Sequence, residues 1–204
     1  MKRLIAAFLL LTQTAFGFGN LAIEIKSPQL GMYLQTDKVS YLTSDITEGA
    51  FRDYVESVRE TMFMPGHRVI VINSNGGSVA AGEKIINMMR LEQAMGIQMV
   101  CVVQDKAHSM AFNILSNCDV KLATKHARMV VHKARVQIFL TTMTGRMAQE
   151  LANELKRVDE PYRQKNAKEM GLSLKDYDRY ADAETNWSSE TLYQRHYLDG
   201  FVEE

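Results

Sequence analysis

Two uninterrupted apolar runs do most to limit the folds open to this chain. One is Arg68 to Asn73, with the sequence Arg-Val-Ile-Val-Ile-Asn, and the other is Met99 to Val103. Strands buried on both faces of a parallel sheet have this composition, whereas half-exposed strands alternate apolar and polar residues. Between the runs, Val79 to Ala94 has the periodicity of an amphipathic helix. The order strand, helix, strand predicts a βαβ unit and hence an α/β fold with a parallel sheet.

The same alternation continues on both sides of this unit. Further strands are predicted at Val39–Thr43, Val120–Ala123 and Ala127–Val131, and further helices at Gly49–Met64, Thr141–Met170, Leu174–Tyr180 and Ser189–Tyr197. We expect Pro65-Gly66 to end the first of these helices and Pro161 to be a candidate break in the second. The chain is therefore predicted to be one α/β domain with a helical C-terminal third.

Composition excludes several classes of protein. The chain has 204 residues, of which 46% are hydrophobic and 24% charged, as in ordinary globular domains. Its 24 basic and 24 acidic residues cancel, so a nucleic-acid surface is not expected. None of the five histidines has the spacing of a metal-ligand pair, and no phosphate-loop or dinucleotide motif occurs. Neither a metal nor a cofactor is expected.

The first seventeen residues have the layout of a secretory signal peptide. Met1-Lys-Arg is a positive start, Leu4 to Leu11 is apolar, and Ala15-Phe-Gly17 is a small-x-small cleavage pattern. We therefore divide the chain into a signal peptide (1–17), an N-terminal segment (18–38) and an α/β domain (39–204). Export to a periplasm or out of the cell is expected, and an uncleaved membrane anchor is the alternative.

The two cysteines allow two interpretations. Cys101 lies in a predicted strand and Cys118 near the end of the following helix. An oxidising compartment permits a disulfide between them. Cysteine is also among the most often buried residues, so two packed thiols fit the pattern equally well.

Three candidate site residues or pairs lie where predicted strands end. Gly76-Gly77 follows the first apolar run, Ser109 lies between the second run and a predicted helix, and His132 follows Val130-Val131. Paired glycines allow close backbone approach to a ligand, and the carboxyl edge of a parallel sheet is where ligands bind. A histidine there can act as a general base for a serine. By itself, Ser109 could equally be a helix N-cap and Gly76-Gly77 a tight turn.

Considered together, these segments resemble a known family. Asn73-Ser-Asn-Gly-Gly-Ser-Val-Ala-Ala-Gly82, Ala107-His-Ser-Met-Ala111 and Ala127-Arg-Met-Val-Val-His132 are similar, in order and spacing, to three motifs of the Clp protease proteolytic subunit. That family is a branch of the ClpP/crotonase superfamily. The resemblance implies a ClpP/crotonase-like spiral of βαβ units with a helical C-terminal handle region. It also implies a serine endopeptidase.

The resemblance assigns roles to individual residues. It implies that Ser109 is the nucleophile, that His132 is the base, and that the N–H groups of Gly77 and Met110 form the oxyanion hole. Counting back from Tyr197-Leu-Asp-Gly200 places Glu184 at the acid position of the triad, with Asp182 as the alternative.

The chain also departs from the family pattern. Asn75 stands where the family has a proline before the glycine pair, and Ala134 stands where it has a proline after the histidine. His108 replaces the small residue before the nucleophile. The signal peptide is a further departure, because known members work inside cells or organelles with a partner ATPase. ATP is not available to an exported protein, so we expect no ATPase partner and a substrate limited to peptides or unstructured segments.

The resemblance further implies a homo-oligomeric ring. The helix predicted at Thr141–Met170 corresponds in position to the family's handle, through which subunits pair. The apolar residues Ile138, Phe139 and Leu140 precede it. Packing of the same helix on the chain's own sheet is the alternative.

Two other functions stay open on sequence alone. A related superfamily enzyme could use a Ser/Lys dyad, for which Lys106, Lys121 and Lys133 are available, or act on thioesters with Asp105 as the acid. Alternatively, the protein could be a catalytically inactive, oligomeric binding protein.

Overall fold

The computed structural model describes the backbone of residues 16–18 and 21–23, and residues 36, 38–135 and 142–202 in full. Most of the predicted signal peptide, most of the N-terminal segment and the apolar residues 138–140 lie outside the described residues. Phe16–Phe18 (β1) and Leu21–Ile23 (β2) form an antiparallel pair. In the parts of the chain that are described, no helix is long and apolar enough to cross a membrane.

The main sheet is mostly parallel, as predicted. Its strands within the described ranges are β3 (Val39–Leu42), β4 (Gly66–Ser74), β5 (Ile97–His108), β6 (Val120–Thr124), β7 (Arg128–Val130), β8 (Asn186–Ser188) and β9 (Gly200–Val202). The hydrogen-bonded order is β3-β4-β5-β6-β9, and β7 pairs with the last three residues of β5. Only β8, which pairs with β7, runs antiparallel. The α/β fold class is thereby confirmed.

The helices connect these strands. They are α1 (Glu48–Val58), α2 (Val79–Ala94), α3 (Met110–Leu115), α4 (Gly145–Glu169), α5 (Leu174–Asp182) and α6 (Ser189–Gln194). Serine or threonine side chains cap the N-termini of five of them, all except α3. An oxygen at this position accepts an N–H that the first helical turn cannot satisfy.

The strand β4 is buried on both faces, as its composition predicted. Ile70 and Ile72 pack in the larger core beneath the helices, whereas Val69 and Val71 pack in a smaller core on the opposite face. Alternate residues of a strand point to opposite faces, so only a strand covered on both sides needs apolar residues at every position.

Arg68, the first residue of that apolar run, is a charged residue buried in the core, which the sequence did not predict. Arg68 is fully buried, and its Nε donates to the carboxylate of Glu92 on α2 at 2.6 Å. The hydroxyl of Tyr54 donates to the same carboxylate at 2.8 Å. A buried charge requires such partners, because removing an ion from water is costly.

The cysteines form a disulfide. Cys101 of β5 and Cys118, just after α3, are bonded with their Cα atoms 5.9 Å apart. The bond ties the end of α3 to the strand that precedes it. The question that the sequence left open is answered in favour of pairing.

Several element boundaries differ from the prediction. The strand β5 continues past Val103 to His108, because its last residues gain a new partner, β7. Helix α1 ends at Val58 rather than Met64, and turns follow. Helix α4 runs through Pro161 without a break. The short strands β8 and β9 have no sequence signal, since pairing with β7 and β6 defines them.

Candidate active site

The ends of β4, β5 and β7 meet at one edge of the sheet. The N–H of Ser109 donates to the carbonyl of Val130 at 2.8 Å, which ties the end of β5 to the end of β7. The turn after β4 is held by Ile46, whose N–H donates to Gly76 O and whose carbonyl accepts from Ser78 N, both at 2.8 Å. The glycine pair, the serine and the segment before His132 are therefore neighbours.

Ser109 has an unusual backbone conformation. Its φ is 54° and its ψ is −121°, a region that non-glycine residues rarely adopt. It occupies the N-cap position of α3, yet its side chain makes no capping hydrogen bond. The hydroxyl is thus available for another role, and the strained turn holds it at the end of the strand.

Two glycines make room for this turn. A Cβ built on Gly76, whose φ is +91°, would lie 2.9 Å from the Met110 nitrogen, and a Cβ on Gly82 would overlap the Met110 side chain. Among the described residues, neither the Gly77 N–H nor the Met110 N–H donates a hydrogen bond to the protein. Both predicted oxyanion donors are therefore unoccupied by the protein itself.

Ser109 and His132 line the same cavity of about 250 Å³. Its walls are formed by α3, the segment after β7, α4 and α5, and include Asn113 and Tyr177. A second, smaller depression is lined by Ser109 and His132 together with Met110. A group bound in this space would contact the candidate nucleophile and the candidate base together.

The His132 ring is held by its own neighbour. Its Nδ1 lies 2.8 Å from the carbonyl oxygen of Lys133. Because a carbonyl only accepts, Nδ1 must carry a proton, which leaves Nε2 of the neutral ring as an acceptor. Within the described part of the chain, no hydrogen bond joins His132 to Ser109. Catalytic hydrogen bonds are often long before substrate binds.

Within the described residues, neither predicted acid hydrogen-bonds to the His132 ring, although the charge of a protonated His132 acts on Glu184 at longer range. The Glu184 carboxylate pairs with the Arg135 guanidinium, which holds the pKa of Glu184 below its usual value. Asp182 lies 2.7 Å from the Nζ of Lys133. Both pairs are about half exposed. The assignment of Glu184, or Asp182, as the third member of the triad stays a prediction.

Comparison with known proteins decides the family. The Clp protease family model matches residues 66–191, more than half of the chain. The chain belongs to the Clp protease family. No curated protein gives a significant match. The matched range includes the Gly76-Gly77 turn, Ser109, His132 and helix α4, so the cavity lies in the part of the chain that carries the Clp protease domain.

Sequence reasoning missed one carboxylate in this cavity. Asp159, on α4, lines both the main cavity and the smaller depression. Its two oxygens accept the Ala134 N–H at 2.8 and 3.0 Å. Partial burial raises the pKa of Asp159. The proline that the family has at the position of Ala134 would have no N–H to donate. The alanine could therefore have indicated an additional backbone hydrogen bond at this position, although the sequence does not show which group accepts it.

His108, which replaces the small residue that the family has before the serine, is also affected by its surroundings. Burial lowers the pKa of His108, and the positive charge of Lys106 acts in the same direction. Within the described residues, His108 Nε2 is buried without a hydrogen-bond partner. The lowered pKa disfavours a positive charge on His108, next to Ser109.

The groups considered for other superfamily chemistry are less well placed. Lys106, Lys121 and Asp105 are not among the residues that line the two cavities, and Lys121 Nζ lies 3.4 Å from Glu169. Lys133 lines the main cavity, but its Nζ lies 2.7 Å from the Asp182 carboxylate. No group of three or more potential metal ligands occurs among the described residues.

Proposed function

We propose that this protein is a serine endopeptidase that cleaves peptides or unstructured protein segments. The observation that carries the proposal is the conformation of Ser109. A non-glycine residue is held at φ 54°, ψ −121°, and its hydroxyl makes no capping hydrogen bond to α3. Ser109 and His132 line the same cavity. A serine that served only as a helix cap would bond the first turn and would not need this strain.

The chemistry follows from the groups present. Ser109 Oγ attacks the scissile carbonyl carbon while His132 Nε2 takes the hydroxyl proton. The oxyanion that forms accepts hydrogen bonds from the N–H groups of Gly77 and Met110, each worth about 10²–10³ in rate. His132 then returns the proton to the leaving amine, and the acyl-enzyme forms. Water, deprotonated by His132, releases the acid and restores Ser109.

Export to a periplasm or beyond the cell, without an ATPase partner, is part of the proposal. The disulfide between Cys101 and Cys118 supports it, because such bonds persist in oxidising compartments and are rare in the cytosol. Those compartments lack ATP, so an unfolding motor could not operate. The substrate would then have to enter the site already unfolded.

A homo-oligomer is also proposed. Of the 25 residues of α4, only Asn166 and Ala167 are buried. A helix of this length packed on its own sheet would bury a continuous stripe, so the exposed portion of α4 supports contact with another subunit. Light scattering on the purified protein tests this: a mass several times 23.2 kDa is expected. A monomer at micromolar concentration would contradict it.

Active-site labelling tests the enzyme proposal. A fluorophosphonate should label the wild-type protein at Ser109, and Ser109→Ala and His132→Ala should each abolish labelling while remaining folded. Hydrolysis of a fluorogenic peptide library should show the same dependence. A folded wild-type protein that neither reacts nor hydrolyses peptides would favour the inactive binding protein instead.

A further inference from the structure

The peptide group between Lys133 and Ala134 links Asp159 to His132. Its carbonyl accepts from His132 Nδ1 at 2.8 Å, and its N–H donates to the Asp159 carboxylate at 2.8 and 3.0 Å. The peptide is trans, since the structure describes no cis bonds, so its C=O and N–H point in opposite directions. The carboxylate and the imidazole therefore lie at the two ends of one hydrogen-bonded chain.

We infer that Asp159 is the positioning residue of the catalytic histidine and acts on it through this peptide group. The inference rests on the proposed function and names the group that fills the acid role of the triad. An anion bound to a peptide N–H polarises the amide and increases the negative charge on its oxygen, because hydrogen bonds in a chain strengthen one another. That oxygen then holds Nδ1–H in the orientation and tautomer that leave Nε2 facing the substrate.

The charges around Asp159 fit this role. Among the described residues it has no ion-pair partner, whereas its neighbour Glu160 pairs with Arg163, as does Asp178 at 2.7 Å. Partial burial of a carboxylate without an ion-pair partner lowers the stability of the folded state, and the hydrogen bond from the Ala134 N–H offsets part of that loss. Lys133, and His132 once it is protonated, act on it at longer range. Its negative charge is therefore directed at the His132 segment rather than cancelled by an arginine.

The same inference assigns the acid role without Glu184 or Asp182, the two acids that the sequence predicted. Glu184 and Asp182 pair with Arg135 and Lys133, the cations on either side of Ala134. These two pairs and the Asp159 carboxylate on α4 all hold the segment after His132. A Clp protease chain with Ala134 in place of proline gains the N–H that the relay needs.

Replacing Asp159 with asparagine tests the inference on the full-length mature protein. Asp159→Asn removes the charge with little change of shape, and we expect the fluorophosphonate labelling rate and the kcat for an uncharged peptide to fall at least tenfold. KM should change less than twofold, because the substrate contacts are intact. Glu154→Gln, which removes one exposed charge from the same helix, is the control and should match the wild type.

A second variant removes the other end of the relay. Ala134→Pro deletes the N–H and should reduce labelling as Asp159→Asn does, and the double variant should be no slower than the worse single variant. Wild-type labelling in folded Asp159→Asn, or in folded Ala134→Pro should Asp159→Asn not fold, would overturn the inference. So would tenfold losses in Glu184→Gln or Asp182→Asn without a loss in Asp159→Asn. An unreactive wild-type protein would instead reject the proposed function itself.

Discussion

Gly76 and Ser109 approach so closely that a Cβ built on Gly76 would lie 2.7 Å from the Ser109 Cβ. Gly76 also has a φ of +91°, so a side chain there would meet both steric overlap and backbone strain. The candidate nucleophile therefore depends on the absence of a side chain one strand away. This contact gives the glycine pair a role that a simple tight turn would not have.

Gly76→Ala should abolish fluorophosphonate labelling and lower the free energy of unfolding by about 3 kcal/mol. Gly96→Ala is the matched control, because Gly96 has a similar φ of +85° but nothing within 4 Å of an added Cβ. It should cost only about 1 kcal/mol, from backbone strain, and keep full labelling. Urea unfolding gives both values, and equal losses in the two variants would show that the contact with Ser109 is unimportant.

Ser109→Gly and Ser109→Ala should both be inactive but differ in stability. Glycine adopts φ 54°, ψ −121° freely, whereas alanine keeps the strain of the wild-type serine. We expect the free energy of unfolding of Ser109→Gly to exceed that of Ser109→Ala by about 1 kcal/mol or more. If glycine proves less stable in urea titrations, the conformation at Ser109 is not strained.

The buried ion pair of Arg68 and Glu92 should be intolerant of single changes. Glu92→Gln leaves the Arg68 charge uncompensated in the core, and we expect a loss of about 3–5 kcal/mol. The exposed pair of Lys84 and Glu48, at 2.7 Å, provides the control. Glu48→Gln should cost less than about 1 kcal/mol, since water replaces the lost partner. Similar urea midpoints for the two variants would contradict the burial of the pair.

Reduction of the disulfide should destabilise the domain. The bond between Cys101 and Cys118 closes a loop of 17 residues, for which chain entropy predicts about 3 kcal/mol. Urea unfolding with and without a reductant measures the loss, and a Cys101→Ala/Cys118→Ala double variant should match the reduced wild type. Both cysteines are buried, so reduction should be slow in the native state. Unchanged unfolding after complete reduction would oppose this expectation.

The stability of the wild type relative to Asp159→Asn should depend on pH. Burial raises the pKa of Asp159 above its unfolded value, so its contribution to stability is fully present below the unfolded pKa of about 4. That contribution is lost as the pH rises through the folded pKa. We therefore expect Asp159→Asn to be at least as stable as the wild type at pH 7, and the difference to close towards pH 4. Thermal melts across this range measure the trend.

A less stable Asp159→Asn variant at pH 7 would indicate a purely structural carboxylate. Glu154→Gln again serves as the comparison, because this exposed pair with Arg157 carries no burial cost. Activity that falls while stability is kept or rises is the combination expected of a residue retained for function rather than for packing.

The sheet edge was predictable because it depends on short-range patterns. The apolar runs around Val69–Ile72 and Met99–Val103 indicate buried parallel strands, and parallel strands all end at the same edge. Gly77 and Ser109 follow these two strands and His132 follows the strand that ends near Val131, so the three residues are brought near one another without any knowledge of loop geometry. Helix α2, Val79–Ala94, was predicted to the residue from its amphipathic periodicity, and the structure shows that Ser78 caps its start.

The partner of the Ala134 N–H was not predictable in this way. Asp159 lies on α4, a helix whose orientation depends on packing against α5 and not on any local motif. Arg68 posed the same difficulty, because its burial depends on Glu92 of α2 reaching the same point in the core. A charged residue at the start of an apolar run is ordinarily at the surface.

By itself, the sequence determined the α/β class, the order of the helices and of strands β3 to β7, the Clp protease family and the grouping of Gly77, Ser109 and His132. The class, the order and the grouping follow from hydrophobic periodicity and strand ends, and the family follows from the resemblance of three short motifs, all of which are local properties of the chain. Only the tertiary structure decided that the cysteines pair, that Arg68 is buried and that Asp159 meets Ala134. Each of those depends on two segments that are distant in sequence, and such contacts are set by how helices pack on the sheet rather than by the residues nearby.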